Sequence, residues 1–182
     1  MNDKYIWIIV TAIFLIMILF LNRKVRLFAL ANEQLKVFKN ANKKKTSLWD
    51  LLCFLVFPLL IAIILVYKLD FIVDDDLANL LTTVFSIICP ILFGFATIMI
   101  GKIDSQNRLE KRVAEETFVS IVSSTVLSLI AAIIAIVLTQ MDSEICLQFL
   151  STIILALSIM IVLLILLITK RTFYLYIDHN KQ

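Results

Sequence analysis

Any chemistry in this chain must come from 17 Lys/Arg, 14 Asp/Glu, one His and three Cys, since the remaining residues are mostly hydrocarbon. Their spacing is not that of a catalytic set. His179 lies three residues from the end of the chain and has no metal-ligand companion at useful spacing, so it reads as a solvated side chain. Cys53 and Cys89 fall in apolar runs, where a free thiol packs as a small hydrophobe, and Cys146 stands apart, so no closed disulfide framework forms. The chain encodes no phosphate-cradling loop, nucleophile–base pair or paired carboxylates within an apolar run. With Gly94 and Gly101 its only glycines, it also lacks the broken, Gly-rich helices that coordinate transported substrates. The sequence therefore predicts a non-enzyme without cofactor or metal.

What the ionisable residues do form is clusters. Residues 22–47 hold Arg23, Lys24, Arg26, Lys36, Lys39, Lys43, Lys44 and Lys45, and residues 101–117 hold Lys102, Arg108, Lys111 and Arg112. Such clusters suit anionic lipid head groups or an acidic protein partner, at about 1 kcal/mol per charge near a membrane surface. They equally suit a topogenic role, holding a loop inside during insertion. Nucleic-acid binding is not expected. The run Asp74-Asp75-Asp76 can collect divalent cations if an oligomer arranges it at a pore mouth. Its place just before an apolar run favours a helix N-terminus with an Asp cap.

The elements that must position these clusters are membrane spans. At 62% hydrophobic and 17% charged, with a mean hydropathy of +1.01, the chain is not a soluble globule. Its apolar residues form five blocks at 5–21, 48–67, 77–100, 118–138 and 149–169. Four reach the roughly 20 residues that cross about 30 Å of hydrocarbon, and the first sits at the short limit. Segments 22–47, 101–117 and 170–182, with Asp50 at the inner boundary counted beside them, carry fifteen bases and seven acids, against two bases and seven acids on the other side. The fold class is an all-α integral membrane protein of five spans, and by the positive-inside rule its N-terminus is outside and its C-terminus inside. The richness in Ile, Lys, Asn and Phe suggests an A/T-rich bacterial gene and hence a bacterial inner membrane. One face then carries +8 and the other −5.

The inner segments are patterned. Leu27, Ala31, Leu35 and Phe38 give an apolar stripe, predicting an amphipathic helix after the first span. Lys111 with Glu115 and Arg112 with Glu116 sit at i,i+4, predicting a helical extension ahead of the fourth span, capped by Asp104 or Ser105. The tail from Lys170 to Ile177 reads as an interfacial aromatic belt, or as a peptide that docks on a cytosolic protein. Small residues recur every fourth position: Ala78, Thr82, Ser86, Pro90 and Gly94 in the third span, Ser120, Ser124, Ser128 and Ala132 in the fourth. Matched small faces predict a tightly packed hairpin; the alternative is a face that meets an identical subunit or lines a pore. Pro58 and Pro90 predict kinks near mid-span.

In layout, with small size, five crossings, a basic inner face and a composition heavy in Ile, Lys, Asn and Phe, the chain resembles the small multi-pass membrane subunit of bacterial anti-phage systems of the Kiwa type. The resemblance covers topology and no residue string. It implies an oligomeric membrane sensor that holds a cytosolic effector. The expected function is thus a homo-oligomeric sensor or scaffold recruiting a cytosolic partner through its basic face, with a pore-forming effector as the alternative.

Overall fold

A computed structural model describes residues 10–11, 27–37, 49, 52–103, 108–141 and 143–179. The described residues form helices: α1 (Leu27–Val37), a π-helical turn (Leu52–Val56) running into α2 (Phe57–Leu69), α3 (Asp75–Ile103), α4 (Arg108–Leu138) and α5 (Glu144–His179). Among the described residues, four stretches are long and apolar enough to cross a membrane: Leu52–Leu69, Asp75–Ile103, Glu110–Leu138 and Glu144–Tyr174. They coincide with the second to fifth blocks read from the sequence. The first block, 5–21, lies outside the described residues except Val10 and Thr11, which are helical.

Chain punctuation sets these bounds. Asp70 ends α2 in the left-handed conformation, at φ 50° and ψ 32°, which a short polar side chain tolerates. The Asp70 and Phe71 amides both donate to the Leu65 carbonyl, satisfying an orphan acceptor at the helix end. Asp74 then caps α3, its Oδ1 accepting from the Leu77 amide at 2.9 Å, with Asp75 and Asp76 in the first turn. Pro58 sits in the first turn of α2, where its missing N–H costs least, and the wider π turn ahead of it absorbs the mismatch. Pro90 lies inside α3, which stays a single helix.

Helices α4 and α5 form the centre. α3 packs along α4, α2 packs on α5, and α1 lies on the first turns of α4. The short connection between α2 and α3 therefore passes over the start of α5, where the buried Val73 amide donates to Ser151 Oγ at 3.1 Å. Around this acidic end, Val73, Ala78, Phe85, Ala131, Ala135, Leu138, Ile154 and Ile161 make one buried cluster. Toward the basic end, Leu92, Ala96, Met99, Ala114, Ile121 and Ile168 make a second.

The hairpin of α3 and α4 is tightly packed, but not through two matched small faces. On α4, Ser120, Ser124 and Ser128 are completely buried and Ala132 is half-buried. On α3 the buried residues are Ala78, Phe85, Leu92, Ala96 and Met99, while Ser86, Pro90 and Gly94 are exposed, and a Cβ built on Gly94 meets nothing within 4 Å. The buried face of α3 is thus built mainly of large side chains, while Ser120, Ser124 and Ser128 line an enclosed face of α4. Apolar association in lipid gains from close contact. The hydroxyls turn back on their own helix: Thr117, Ser120, Ser124 and Thr125 each donate to the carbonyl four residues earlier, at 2.6–3.0 Å.

Candidate functional site

The charged residues are gathered where helices outrun their apolar stretches. At 1.5 Å per residue, the 31 residues of α4 and 36 of α5 measure about 46 and 54 Å, against roughly 30 Å of hydrocarbon. The excess carries Arg108, Glu110, Lys111, Arg112, Glu115 and Glu116 at the start of α4, and Lys170 and Arg171 near the end of α5. The tail predicted as a belt or docking peptide continues α5 as helix to His179, with Phe173 and Tyr174 exposed and their rings edge-on, centroids 6.4 Å apart.

Glu116 is the joint of this end. Its Oε1 accepts from Arg112 Nε at 2.9 Å, one turn back along α4, and its Oε2 lies 3.4 Å from Arg171 Nη2 on α5. Glu116 and Arg171 are 28% and 19% exposed, so the pair is largely shielded and fixes the two helix ends against each other. Arg112, 51% exposed, adds no more than the 0.2–1 kcal/mol of a surface pair. Lys111 and Glu115, expected to pair in the same register, are both exposed and make no ion pair with each other.

Against this end lies α1. Leu30, Gln34 and Val37 are half-buried, whereas Ala31 and Leu35 of the predicted apolar stripe are exposed. The surface that α1 meets carries Arg112, Glu115 and Glu116, so it turns a mixed face inward. Both polar atoms of the Gln34 amide are buried without a hydrogen-bond partner, as is Ser123 Oγ on α4. Between α1 and α4 opens a cavity of about 240 Å³, lined by Glu33 and Val37 from α1 and by Arg112, Glu115, Glu116 and Val119 from α4.

Of the basic residues singled out by sequence, Arg108, Lys111 and Arg112 sit together and exposed on the first turns of α4. Lys36 lies on α1. Arg23, Lys24, Arg26, Lys39, Lys43, Lys44 and Lys45 lie outside the described residues, as do Asp104 and Ser105. The sequence reading missed the bridge from Glu116 to Arg171 and the cavity beside it. A signal for the bridge existed: the two residues stand at equal distance outside the apolar blocks 118–138 and 149–169, hence at one depth. Among the described residues, no group of His, Cys, Asp and Glu is placed to hold a metal ion.

Compared with known proteins, the chain matches no family model, no curated protein and no solved structure.

Proposed function

We propose that this chain is a non-enzymatic scaffold or sensor subunit of a bacterial inner membrane, with five spans, its N-terminus outside and its C-terminus in the cytoplasm. It recruits a cytosolic protein through its basic end and works as a homo-oligomer. The observation that carries this reading is the asymmetry of the two ends. At one end α4 and α5 continue past their apolar stretches, are bridged through Glu116 and Arg171, and receive α1; at the other, only short connections join the helices. The basic end offers a partner a preformed helical surface with Arg108, Lys111 and Arg112 exposed, so little ordering entropy opposes docking. Pull-downs from native membranes should recover a cytosolic protein that is lost when Lys43, Lys44, Lys45, Arg108, Lys111 and Arg112 are neutralised together. Recovery of no protein by the unaltered chain sinks the reading.

The exposed Ser86, Pro90 and Gly94 on α3 support the oligomer, because small residues let helices of neighbouring subunits approach closely. They also support the second reading, an oligomeric pore lined by α3. Ser120, Ser124 and Ser128 cannot share in that lining without repacking, since they are enclosed within one chain. Bilayers holding the purified protein should conduct in that case, and Gly94→Leu should change the conductance. The phage-defence role implied by layout is tested by phage challenge of cells with and without the gene.

A further inference from the structure

The cavity between α1 and α4 has a chemistry that matches one class of ligand. From Arg112 to Val119 its α4 wall runs about 10 Å along the helix, charged at the far end and apolar at the membrane end. A polar headgroup layer is roughly 5–7 Å thick on each side of the hydrocarbon. Val119 falls just inside the fourth apolar block and Arg112, Glu115 and Glu116 just outside it, so the cavity straddles that layer. Its lining carries one guanidinium and three carboxylates. Glu116 is already shared by two arginines, whereas Glu115 is exposed and makes no ion pair. Arg112 reaches Glu116 through Nε alone, so its two Nη groups keep their donors for an anion. The lining thus offers an acceptor for a small hydrogen-bonding cation, donors for an anion beside it, and an apolar exit toward the bilayer at Val119.

From this arrangement we infer that the cavity binds the headgroup of a phosphoethanolamine lipid, with its ammonium on Glu115, its phosphate on Arg112, and its acyl chains leaving past Val119. A purely anionic headgroup brings no ammonium to Glu115 and forfeits that contact. A choline headgroup brings a cation without N–H donors and forfeits the charge-assisted hydrogen bonds to Glu115. The site requires only that the apolar helices lie in a bilayer, so its failure and the failure of partner recruitment are separate results.

The test is native mass spectrometry of the full chain, delipidated and titrated with phosphatidylethanolamine, phosphatidylcholine and phosphatidylglycerol of identical acyl chains. The expected result is retention of phosphatidylethanolamine about tenfold above phosphatidylglycerol, which corresponds to one charge-assisted contact. Glu115→Gln should erase that preference and Arg112→Gln should cut retention about tenfold, while Glu115→Asp keeps part of the preference and Lys68→Gln, exposed at the opposite end of the bundle, leaves it unchanged. Both tested side chains are exposed, and size-exclusion profiles show whether the variants remain folded. Equal retention of the three lipids, or retention that none of the cavity variants alters, overturns the assignment. So does displacement of the lipid by free phosphoethanolamine at the lipid's own concentration, which would make the ligand a soluble phosphoamine.

Discussion

Replacing Ser124 by leucine separates the two small-residue stripes more sharply than any other single change. Ser124 is completely buried, and its hydroxyl donates to the Ser120 carbonyl at 2.8 Å. Leucine brings two more heavy atoms into a site with no free surface, and overpacking of that kind costs about 1–3 kcal/mol. For a chain of this size that amounts to a fall in melting temperature of roughly 2–4 °C per kcal/mol, or about 2–12 °C in all. Ser124→Ala, which loses one hydroxyl and no packing room, should cost under about 1 kcal/mol. Gly94→Leu is the counterpart on α3. A Cβ there meets nothing within 4 Å, and leaving glycine behind gains up to about 1 kcal/mol of helix propensity, so the monomer should be unchanged or slightly more stable. The assay is thermal unfolding of the detergent-solubilised monomer, followed by the fraction that stays monodisperse on size exclusion. A silent Ser124→Leu, or a Gly94→Leu as damaging as Ser124→Leu, refutes the assignment of the α4 stripe to the bundle interior and of the α3 stripe to its surface.

Three further outcomes follow from particular contacts. Ser151→Ala strands the buried Val73 amide and should cost about 1–3 kcal/mol, with faster hydrogen exchange at Val73 as the readout. Glu116→Gln loosens the joint between α4 and α5; because both pairs are partly exposed, the loss should be within about 1 kcal/mol, and the variant's stability should respond less to added salt than that of the unaltered chain. Gln34→Met keeps the side-chain volume while removing two buried, unpartnered amide atoms, so it should raise stability by about 1–3 kcal/mol and slow proteolysis in α1.

The second to fifth apolar blocks were legible as helices because their signal is local: an unbroken apolar run long enough to cross hydrocarbon admits few other structures. Asp74 as the cap of α3 was legible for the same reason. Faces were harder to read. The every-fourth spacing of Ser86, Pro90 and Gly94 is as regular as that of Ser120, Ser124 and Ser128, yet only the second is enclosed, and which side of a helix meets protein is decided by neighbours distant in sequence. The stripe of Ala31 and Leu35 did not indicate which side of α1 meets the bundle: α1 half-buries Leu30, Gln34 and Val37 and leaves Leu35 exposed, a choice set by the charged start of α4, which is distant in sequence. Among the i,i+4 charge pairs, Arg112 and Glu116 form and Lys111 and Glu115 do not. The formed pair is held in place by Arg171, which the linear spacing around α4 does not contain.

The most direct test of recruitment at the basic end is site-specific photo-crosslinking in living cells, with the probe residue at Lys111 and, as the opposite-end control, at Asp75. Both positions are exposed. A cytosolic protein should crosslink at Lys111, saturably and only while Arg108 and Arg112 keep their charge, and no cytosolic protein should crosslink at Asp75. An adduct with a cytosolic protein at Asp75, or none at Lys111, contradicts both the orientation and the recruiting role.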